Sequence, residues 1–181
     1  MASGNNDQNN LSEWTDLKFI WLDTFVRVAR LKFTELIDPE KWTFFDKEDA
    51  CIAYIQSAEC KTKPVFLVSS GRLGQYVVPK VHDLPQFYAA YIHCADIERN
   101  TVWSQTYNKV KGVYYDDEKE IFPKLAKDVS ELYVNMGDKY LAANKRPLAI
   151  SCYCTALEKR DFVKDDPSFQ PFVDRLTYKM K

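Results

Sequence analysis

Short, almost continuously apolar runs alternate with longer segments of mixed polarity between residues 19 and 115. Apolar runs of this kind, bounded by turn residues, are typical of strands that are buried on both faces of a sheet. The predicted strands are 19–23, 42–45, 64–69, 87–94 and 110–115. The segments between them carry apolar residues at three- and four-residue spacing, which predicts helices over 24–37, 46–58, 73–81 and 98–107. Asp46 is the expected cap of the second helix.

The alternation of strand and helix determines the expected fold class. Parallel strands need right-handed crossovers, and successive crossovers place helices on both faces of one sheet. The sequence therefore predicts an α/β domain with a five-stranded, doubly wound parallel sheet in the flavodoxin-like order 2-1-3-4-5. Asp23-Thr24-Phe25 follows the first strand in place of a Gly-x-Gly-x-x-Gly fingerprint, so we expect no nucleotide cofactor bound through that fingerprint.

The pattern becomes purely helical after residue 120. Apolar residues keep helical spacing from Ile121 to Leu141, and Pro123 is early enough to be tolerated in the first turn. A break at 144–147 separates this long helix from a second one over 148–158, and a third begins at Phe169. We expect the helix from about 121 to 143 to be shared between the α/β domain and the helices that follow.

The expected organisation is a flexible leader over 1–18, an α/β domain over 19–125 and helices over 126–181. Residues 1–10 are polar and lack the basic and apolar regions of a signal peptide. No apolar run approaches the roughly 20 residues that span a bilayer. We therefore expect a cytoplasmic protein without a membrane partner.

Charge and cysteine content narrow the function classes. Lys and Arg total 25 and Asp and Glu total 26, a balance that disfavours a nucleic-acid partner. The five cysteines lie in periodic apolar segments, the usual context of reduced, buried thiols in the cytosol. With only two histidines and no Cys-x-x-Cys motif, we expect no metal site.

Small and aromatic residues in the helical part recur at the spacing of a known repeat. They are Tyr133, Gly137, Tyr140, Ala149, Tyr153 and Ala156. The stretch 130–163 resembles one tetratricopeptide repeat, in which two antiparallel helices pack through small residues; an ordinary helical hairpin is the alternative. The resemblance implies a protein partner bound through the hairpin. The candidate binding residues are Tyr133, Tyr140, Tyr153 and Phe169.

Four motifs of the α/β part carry a second resemblance. They are Ile20-Trp21-Leu22-Asp23, Val68-Ser69-Ser70-Gly71-Arg72-Leu73-Gly74, Val78-Pro79-Lys80-Val81-His82 and Val110-Lys111-Gly112-Val113. This part resembles a receiver-like amino-terminal domain of multidomain invertebrate proteins. In those proteins the domain precedes tetratricopeptide or kinesin-light-chain-like repeats, or an arginine-specific ADP-ribosyltransferase domain. The resemblance implies architecture more than chemistry.

The residues at the carboxyl ends of the predicted strands do not preserve phosphorelay chemistry. A phosphorelay receiver needs a pair of acidic residues after the first strand, but here Asp23 has no acidic neighbour. Ser69-Ser70 occupies the place of the acceptor carboxylate. The remaining candidate is an anion site in the turn after the third strand, where backbone N–H groups, hydroxyls and one guanidinium come together. Its residues are Ser69, Ser70, Gly71, Arg72 and Gly74. The alternative is a tight strand-to-helix turn with a capping serine.

Other chemistry-bearing residues are less informative. His82 is expected at a helix end, where it interacts with carbonyl groups. His93 and Cys94 should face opposite sides of a strand. Asp46 and Asp116 also follow strands, and Glu98 is the nearest candidate for a glutamate of a toll-receptor-like NAD hydrolase.

Taken together, these patterns predict a non-catalytic protein-interaction or regulatory module, compatible with the amino-terminal part of a longer scaffold protein. The alternative is an NAD-linked enzyme or the accessory region of an arginine ADP-ribosyltransferase. We assign no catalytic residue, no cofactor and no metal. A small-molecule ligand has no support in the sequence.

Overall fold

A computed structural model describes residues 16–25, 36–163, 166–167 and 169–181. These residues form two compact units, one ending at Ile121 and one beginning at Phe122. The sequence placed this boundary between residues 125 and 126. Residues 1–15 of the expected leader lie outside the described part of the chain, and the last leader residue, Lys18, already belongs to the first strand.

The first unit is built on a five-stranded parallel sheet. Its strands are β1 (Lys18–Leu22), β2 (Trp42–Phe45), β3 (Val65–Ser70), β4 (Phe87–His93) and β5 (Val110–Tyr114). Their order is β2-β1-β3-β4-β5, so the predicted flavodoxin-like α/β fold is confirmed. A short 3-10 turn, Pro39–Lys41, leads into β2.

Burial on both faces explains why the strands are nearly continuous in apolar residues. On one face, Phe19 stacks on Phe66 of the neighbouring strand at 5.1 Å between ring centroids and meets Trp42 at 5.3 Å. On the other face, Ile20 and Leu67 belong to a cluster with the helices of this unit. Alternate residues of one strand point to opposite faces, so neither face of β1 or β3 can be polar.

Three described helices accompany these strands: α1 (Glu48–Gln56), α2 (Gly71–Val81) and α3 (Ile97–Ser104). The prediction that Asp46 caps α1 is wrong, because Lys47 occupies the N-cap position and its side chain makes no capping bond. At α3 the cap is made by Asp96, which accepts a hydrogen bond from Arg99 N at 3.1 Å. Residues 26–35 of the predicted helix 24–37 lie outside the described residues.

The second unit contains three helices: α4 (Phe122–Ala142), α5 (Arg146–Leu157) and α6 (Phe169–Met180). A π turn, Asp117–Ile121, precedes α4 and closes the first unit. All of α4 falls in the second unit, whereas the sequence suggested a helix shared by both parts. Asn144 adopts a left-handed φ of 58° and ends the helical path. Pro147 lies in the first turn of α5 rather than in the break, because proline suits that position. None of the described helices is long and apolar enough to cross a membrane.

Helices α4 and α5 pack as an antiparallel hairpin. Ser130 in the middle of α4 donates a hydrogen bond to the carbonyl of Ala156 near the end of α5, at 3.0 Å. Further along, Gly137 lies directly against the ring of the fully buried Tyr153. A Cβ added at Gly137 would come within 2.5 Å of Tyr153 Cε1, so the hairpin tolerates no side chain there.

We expect Gly137→Ala to lower the free energy of unfolding by about 1–3 kcal/mol, because overlap with Tyr153 outweighs the gain in helix propensity. The measurement is urea unfolding of the full chain. Asn135→Ala, on an exposed position of the same helix, is the control and should change stability by less than about 0.5 kcal/mol. An unchanged midpoint for Gly137→Ala would contradict this packing.

Candidate functional site

The predicted anion turn lies between β3 and α2. Helix α2 begins at Gly71, so the chain passes from strand to helix without the separate turn that the sequence suggested. Ser70 occupies the N-cap position, but its side chain makes no capping bond. The buried Ser69 donates its hydroxyl to the carbonyl of Ser70 at 3.1 Å, while Arg72 is exposed. The structure thus brings the five residues together but turns the Arg72 side chain towards solvent.

The two glycines of this turn allow close packing. A Cβ at Gly71 would lie 2.4 Å from Asn100 Oδ1, and one at Gly74 would lie 2.9 Å from Ile92 Cδ1. Asn100 is held on α3 by donating to the Asp96 carbonyl at 2.8 Å and accepting from Trp103 Nε1 at 3.0 Å. Steric contact with α3 and β4 therefore accounts for both glycines, and anion binding at this turn stays a prediction.

The acids at the carboxyl edge of the sheet accept hydrogen bonds from nearby backbone. Asp23 accepts from Phe25 N at 3.0 Å, and Asp116 Oδ1 accepts from Glu118 N and Lys119 N, each at 3.0 Å. These backbone N–H groups lower the pKa of Asp116 despite an opposing effect of desolvation. Asp46 is exposed at the end of β2. The carboxylates of Asp23 and Asp116 therefore serve first to close turns.

His93 and Asp117 form a contact that the sequence did not predict. His93 ends β4, and its Nε2 lies 2.9 Å from the carbonyl oxygen of Tyr115 and 3.3 Å from Asp117 Oδ1. Asp117 opens the π turn that follows β5. Cys94, the next residue after His93, directs its Sγ to the Asp96 carbonyl at 3.3 Å.

The other two predicted residues lie apart from this contact. His82 caps the C-terminal end of α2 through its backbone N–H to Val78 O, and its ring meets Tyr107 edge-on. It is therefore at a helix end, as expected, although its ring contacts Tyr107 and Asp83. Glu98 lies in the first turn of α3.

The predicted protein-binding residues all lie in the second unit. Tyr153 is 0% exposed and Phe169 is 4% exposed, whereas Tyr133 and Tyr140 are partly buried beside the same core. Tyr153 thus contributes to the packing of α4 and α5. Phe169 stacks on Phe172 with ring centroids 4.9 Å apart, at the start of α6.

A polar network attaches α6 to the hairpin. Asp138 Oδ1 of α4 accepts hydrogen bonds from Tyr153 OH of α5 and from Lys179 Nζ of α6, each at 2.5 Å. Burial raises the pKa of Asp138, but the bonds from Lys179 and Tyr153 outweigh this effect and the net pKa is lowered. Burial and the bond to Asp138 both raise the pKa of Tyr153. Each of the three helices therefore contributes one group to this network.

A cavity of about 450 Å³ lies between α4 and α6. It is lined by Lys127, Glu131, Phe169, Pro171, Phe172 and Arg175. Lys127 Nζ is 3.0 Å from Asp166 Oδ2, and the Arg175 guanidinium lies 5.5 Å from the Phe172 ring centroid. The cavity thus combines an aromatic surface with two cations and one carboxylate, a composition suited to an apolar side chain next to an acidic group.

Sequence reasoning found one lining residue of this cavity, Phe169, and missed the others. A local signal existed for Phe172 and Arg175, which follow Phe169 at three-residue steps on one side of α6. No local signal connects them with Lys127 and Glu131 on α4, because that contact depends on how α6 packs on the hairpin.

Comparison of the chain with protein-family models, with curated proteins and with solved structures finds no match.

We expect Gly71→Ala to destabilise the chain by about 1–2 kcal/mol, because the new methyl group would displace the hydrogen-bonded Asn100 side chain. Arg72→Ala, an exposed change at the next position of the same helix, is the control, and its effect should stay within about 0.5 kcal/mol. Both are measured by urea unfolding. Equal losses for the two variants would argue against the Asn100 contact.

We expect Asp138→Asn to lower the free energy of unfolding at pH 7 by about 1 kcal/mol, because the charge that attracts Lys179 is lost. The pKa of Asp138 is lowered by folding, so its contribution is present above the unfolded pKa of about 3.9 and is lost as the pH falls below it. The wild type and variant should therefore converge in denaturant titrations as the pH falls through the lowered pKa of Asp138 in the folded state. Asp174→Asn, an exposed change on α6, serves as the control; a constant difference across the pH range would contradict this account.

Proposed function

We propose that this chain is a non-catalytic protein-interaction module whose second unit binds a segment of a partner protein. The observation that carries the proposal is the cavity between α4 and α6, with its stacked Phe169 and Phe172 and the cations Lys127 and Arg175. Its volume of about 450 Å³ falls within the range of binding pockets for small groups and peptide side chains.

The packing of the hairpin supports this proposal. Gly137 allows α4 and α5 to approach closely, and the Asp138 network places α6 beside them. This arrangement suits the tetratricopeptide-like interpretation of the sequence, in which helices present a surface to a partner. We propose that the helices of this chain also present a surface to a partner protein. This proposal is based on the cavity and not on the resemblance.

Charge favours an acidic partner segment. The 60 residues from Phe122 onward contain 11 Lys and Arg and 8 Asp and Glu, a net charge of +3, although the whole chain has a net charge of −1. At the cavity, Asp166 pairs with Lys127, which leaves the Arg175 guanidinium and the Glu131 carboxylate as the other charged groups. We therefore propose a partner segment with an aromatic or aliphatic side chain for the cavity and an adjacent carboxylate for Arg175.

The first unit supports a non-catalytic role. Ser69-Ser70 occupies the place of the receiver acceptor, and a hydroxyl cannot form an acyl phosphate as a carboxylate does. Asp23 is engaged in a turn with Phe25 N. We propose that this unit is a receiver-like regulatory domain without phosphorelay chemistry.

We place the module in the cytoplasm. All five cysteines are free, and Cys51, Cys60 and Cys152 are buried. Free buried thiols are typical of a reducing compartment.

The experiment is selection of binders from a random-peptide library displayed on phage against the immobilised full chain. We expect enriched peptides to combine a Glu or Asp with a neighbouring apolar residue. Arg175→Glu should weaken their binding about tenfold, because it reverses the charge that meets the peptide carboxylate. Phe172→Ala should weaken it through loss of the aromatic surface, with binding measured by fluorescence anisotropy.

Two matched variants act as controls. Lys181→Glu changes the net charge as Arg175→Glu does, and Tyr178→Ala removes an aromatic ring that is 80% exposed; neither residue lines the cavity. Both should bind the selected peptides like the wild type. Failure to enrich any peptide, or binding that Arg175→Glu and Phe172→Ala leave unchanged, would contradict the proposal. Release of nicotinamide from NAD by the purified chain would also contradict the proposal, if Glu98→Ala abolished that release. This is the result expected of the NAD-linked alternative.

A further inference from the structure

Helices α4 and α6 run side by side in the same direction. Lys127 of α4 pairs with Asp166, just before α6, at 3.0 Å, and Asp138 of α4 pairs with Lys179, near the end of α6, at 2.5 Å. The step from Lys127 to Asp138 corresponds to about three helical turns, or about 16 Å. The other residues that line the cavity lie between these two ion pairs, so the cavity is part of a groove about three turns long.

The groove is closed at depth and open at its rims. Val134 of α4 and Leu176 of α6 are 3% and 0% exposed and belong to one apolar cluster. Glu131 and Arg175 lie on the same two helices and are exposed. A partner can therefore enter the groove from solvent without displacing the apolar cluster.

The residues that line the groove offer few free backbone groups. Lys127, Glu131 and Arg175 lie beyond the first turn of their helices, so their N–H groups bond within the helix. Phe169 N donates to a carbonyl before the helix at 3.0 Å, and Pro171 has no N–H. An extended peptide buried here would leave much of its backbone without partners, whereas a helical segment satisfies its own backbone.

The two walls of the groove carry charges of opposite sign. Arg175 lies on the α6 wall over the Phe172 ring, and Glu131 lies on the α4 wall. Among the residues that the structure describes, neither forms a salt bridge, and Asp138, whose pKa Arg175 helps to lower, pairs with Lys179. A carboxylate of a partner is therefore attracted by Arg175 and repelled by Glu131, which determines how the partner faces the groove.

We propose that the partner segment binds this groove as an amphipathic α-helix, with an apolar side chain on Phe169 and Phe172 and, one helical turn away, a carboxylate on Arg175. This inference rests on the proposed function, because it specifies the conformation of the segment that the second unit binds. Phe172 and Arg175 are separated by about 4.5 Å along the axis of α6. Side chains three or four residues apart on a helix share one face at this spacing, so one face of the partner helix meets both residues.

The first experiment is selection of displayed random peptides of about 16 residues, or about four helical turns, against the full chain. We expect enriched peptides to carry Glu or Asp three or four positions from an aromatic or aliphatic residue. Extended binding predicts a separation of two positions instead, because alternate residues of a strand share a face.

A proline scan of an enriched peptide tests the conformation directly. Proline in the middle of the peptide, where alanine is tolerated, should weaken binding to the full chain more than about tenfold, because it removes a helical hydrogen bond and clashes with the preceding turn. Proline at the first helical position is the matched control and should leave the affinity unchanged. Binding is measured by fluorescence anisotropy, and the Cα shifts of an isotope-labelled peptide should move to helical values when the chain is added.

A charge exchange tests the position of the carboxylate. Changing the peptide Glu or Asp to Lys should weaken binding to the wild-type chain about tenfold and restore binding to Arg175→Glu, because the two charges are exchanged. Lys181→Glu, which lies outside the cavity, is the control and should show no such recovery. Absence of recovery with Arg175→Glu would overturn the placement of the carboxylate.

The results separate this inference from the proposed function. Peptides that lose affinity with Arg175→Glu and Phe172→Ala but tolerate a central proline would support the proposed function and overturn the helical mode. A separation of two positions, together with Cα shifts of extended backbone, would have the same meaning. If no peptide is enriched, both proposals are overturned.

Discussion

Parallel alignment of the five strands is the constraint on which the first unit depends. Because all five strands run parallel, their carboxyl ends meet at one common edge, where the chain leaves the sheet. That edge gathers Asp23, Ser70 and His93 from strands that are far apart in sequence. At this edge the backbone no longer pairs with a neighbouring strand, so side chains accept hydrogen bonds from the N–H groups of the residues that follow each strand. The carboxylates of Asp23 and Asp116 are engaged in this way.

In the second unit, a different constraint sets the geometry. The absence of a side chain at Gly137 allows Tyr153 to lie flat against α4, and this contact brings the Tyr153 hydroxyl to Asp138. The same carboxylate then receives Lys179, while Leu176, one turn earlier on α6, is buried in the core of the hairpin. These contacts, together with others such as the hydrogen bond from Arg146 to the Met180 carbonyl, hold α6 on the hairpin. Because Phe172 and Arg175 lie on α6, the shape of the cavity depends on this packing.

The strand order could be predicted from the sequence because it depends on a pattern that every strand repeats, namely short apolar runs between amphipathic segments. The first residue of each helix could not be predicted in this way. Asp46 is a good capping residue, yet α1 starts at Glu48, because the path of the chain from β2 decides which residue is last before the helix. Likewise, Gly71 and Gly74 are typical of a phosphate-binding turn, and only the approach of Asn100 from α3 and Ile92 from β4 reveals the steric role of these glycines. A pairwise contact between residues so far apart in the chain has no local signal.

The same limit applies to the sites. His93 was placed correctly at the edge of the sheet, but Asp117 was missed because it belongs to a turn whose π geometry no sequence pattern indicated. In the helical unit, Phe169 was identified by its place at the start of a helix, whereas Lys127 and Glu131 became neighbours of Phe169 only through the packing of α6.

The distribution of charge also bears on the kind of partner. A nucleic acid needs a row of cations that face the same way and can exchange their counterions for phosphates. In the helical unit, Lys124, Lys127 and Lys179 each lie within an ion-pair distance of Asp128, Asp166 or Asp138, so these lysines are already neutralised locally. Arg175 differs, because its guanidinium lies over an aromatic ring at the cavity, where it can still direct N–H groups to a carboxylate. A single guanidinium beside the aromatic surface of the cavity is suited to one carboxylate next to one apolar side chain. That combination is available on a peptide segment and is absent from a nucleic-acid backbone, which supports the proposal of an acidic peptide partner.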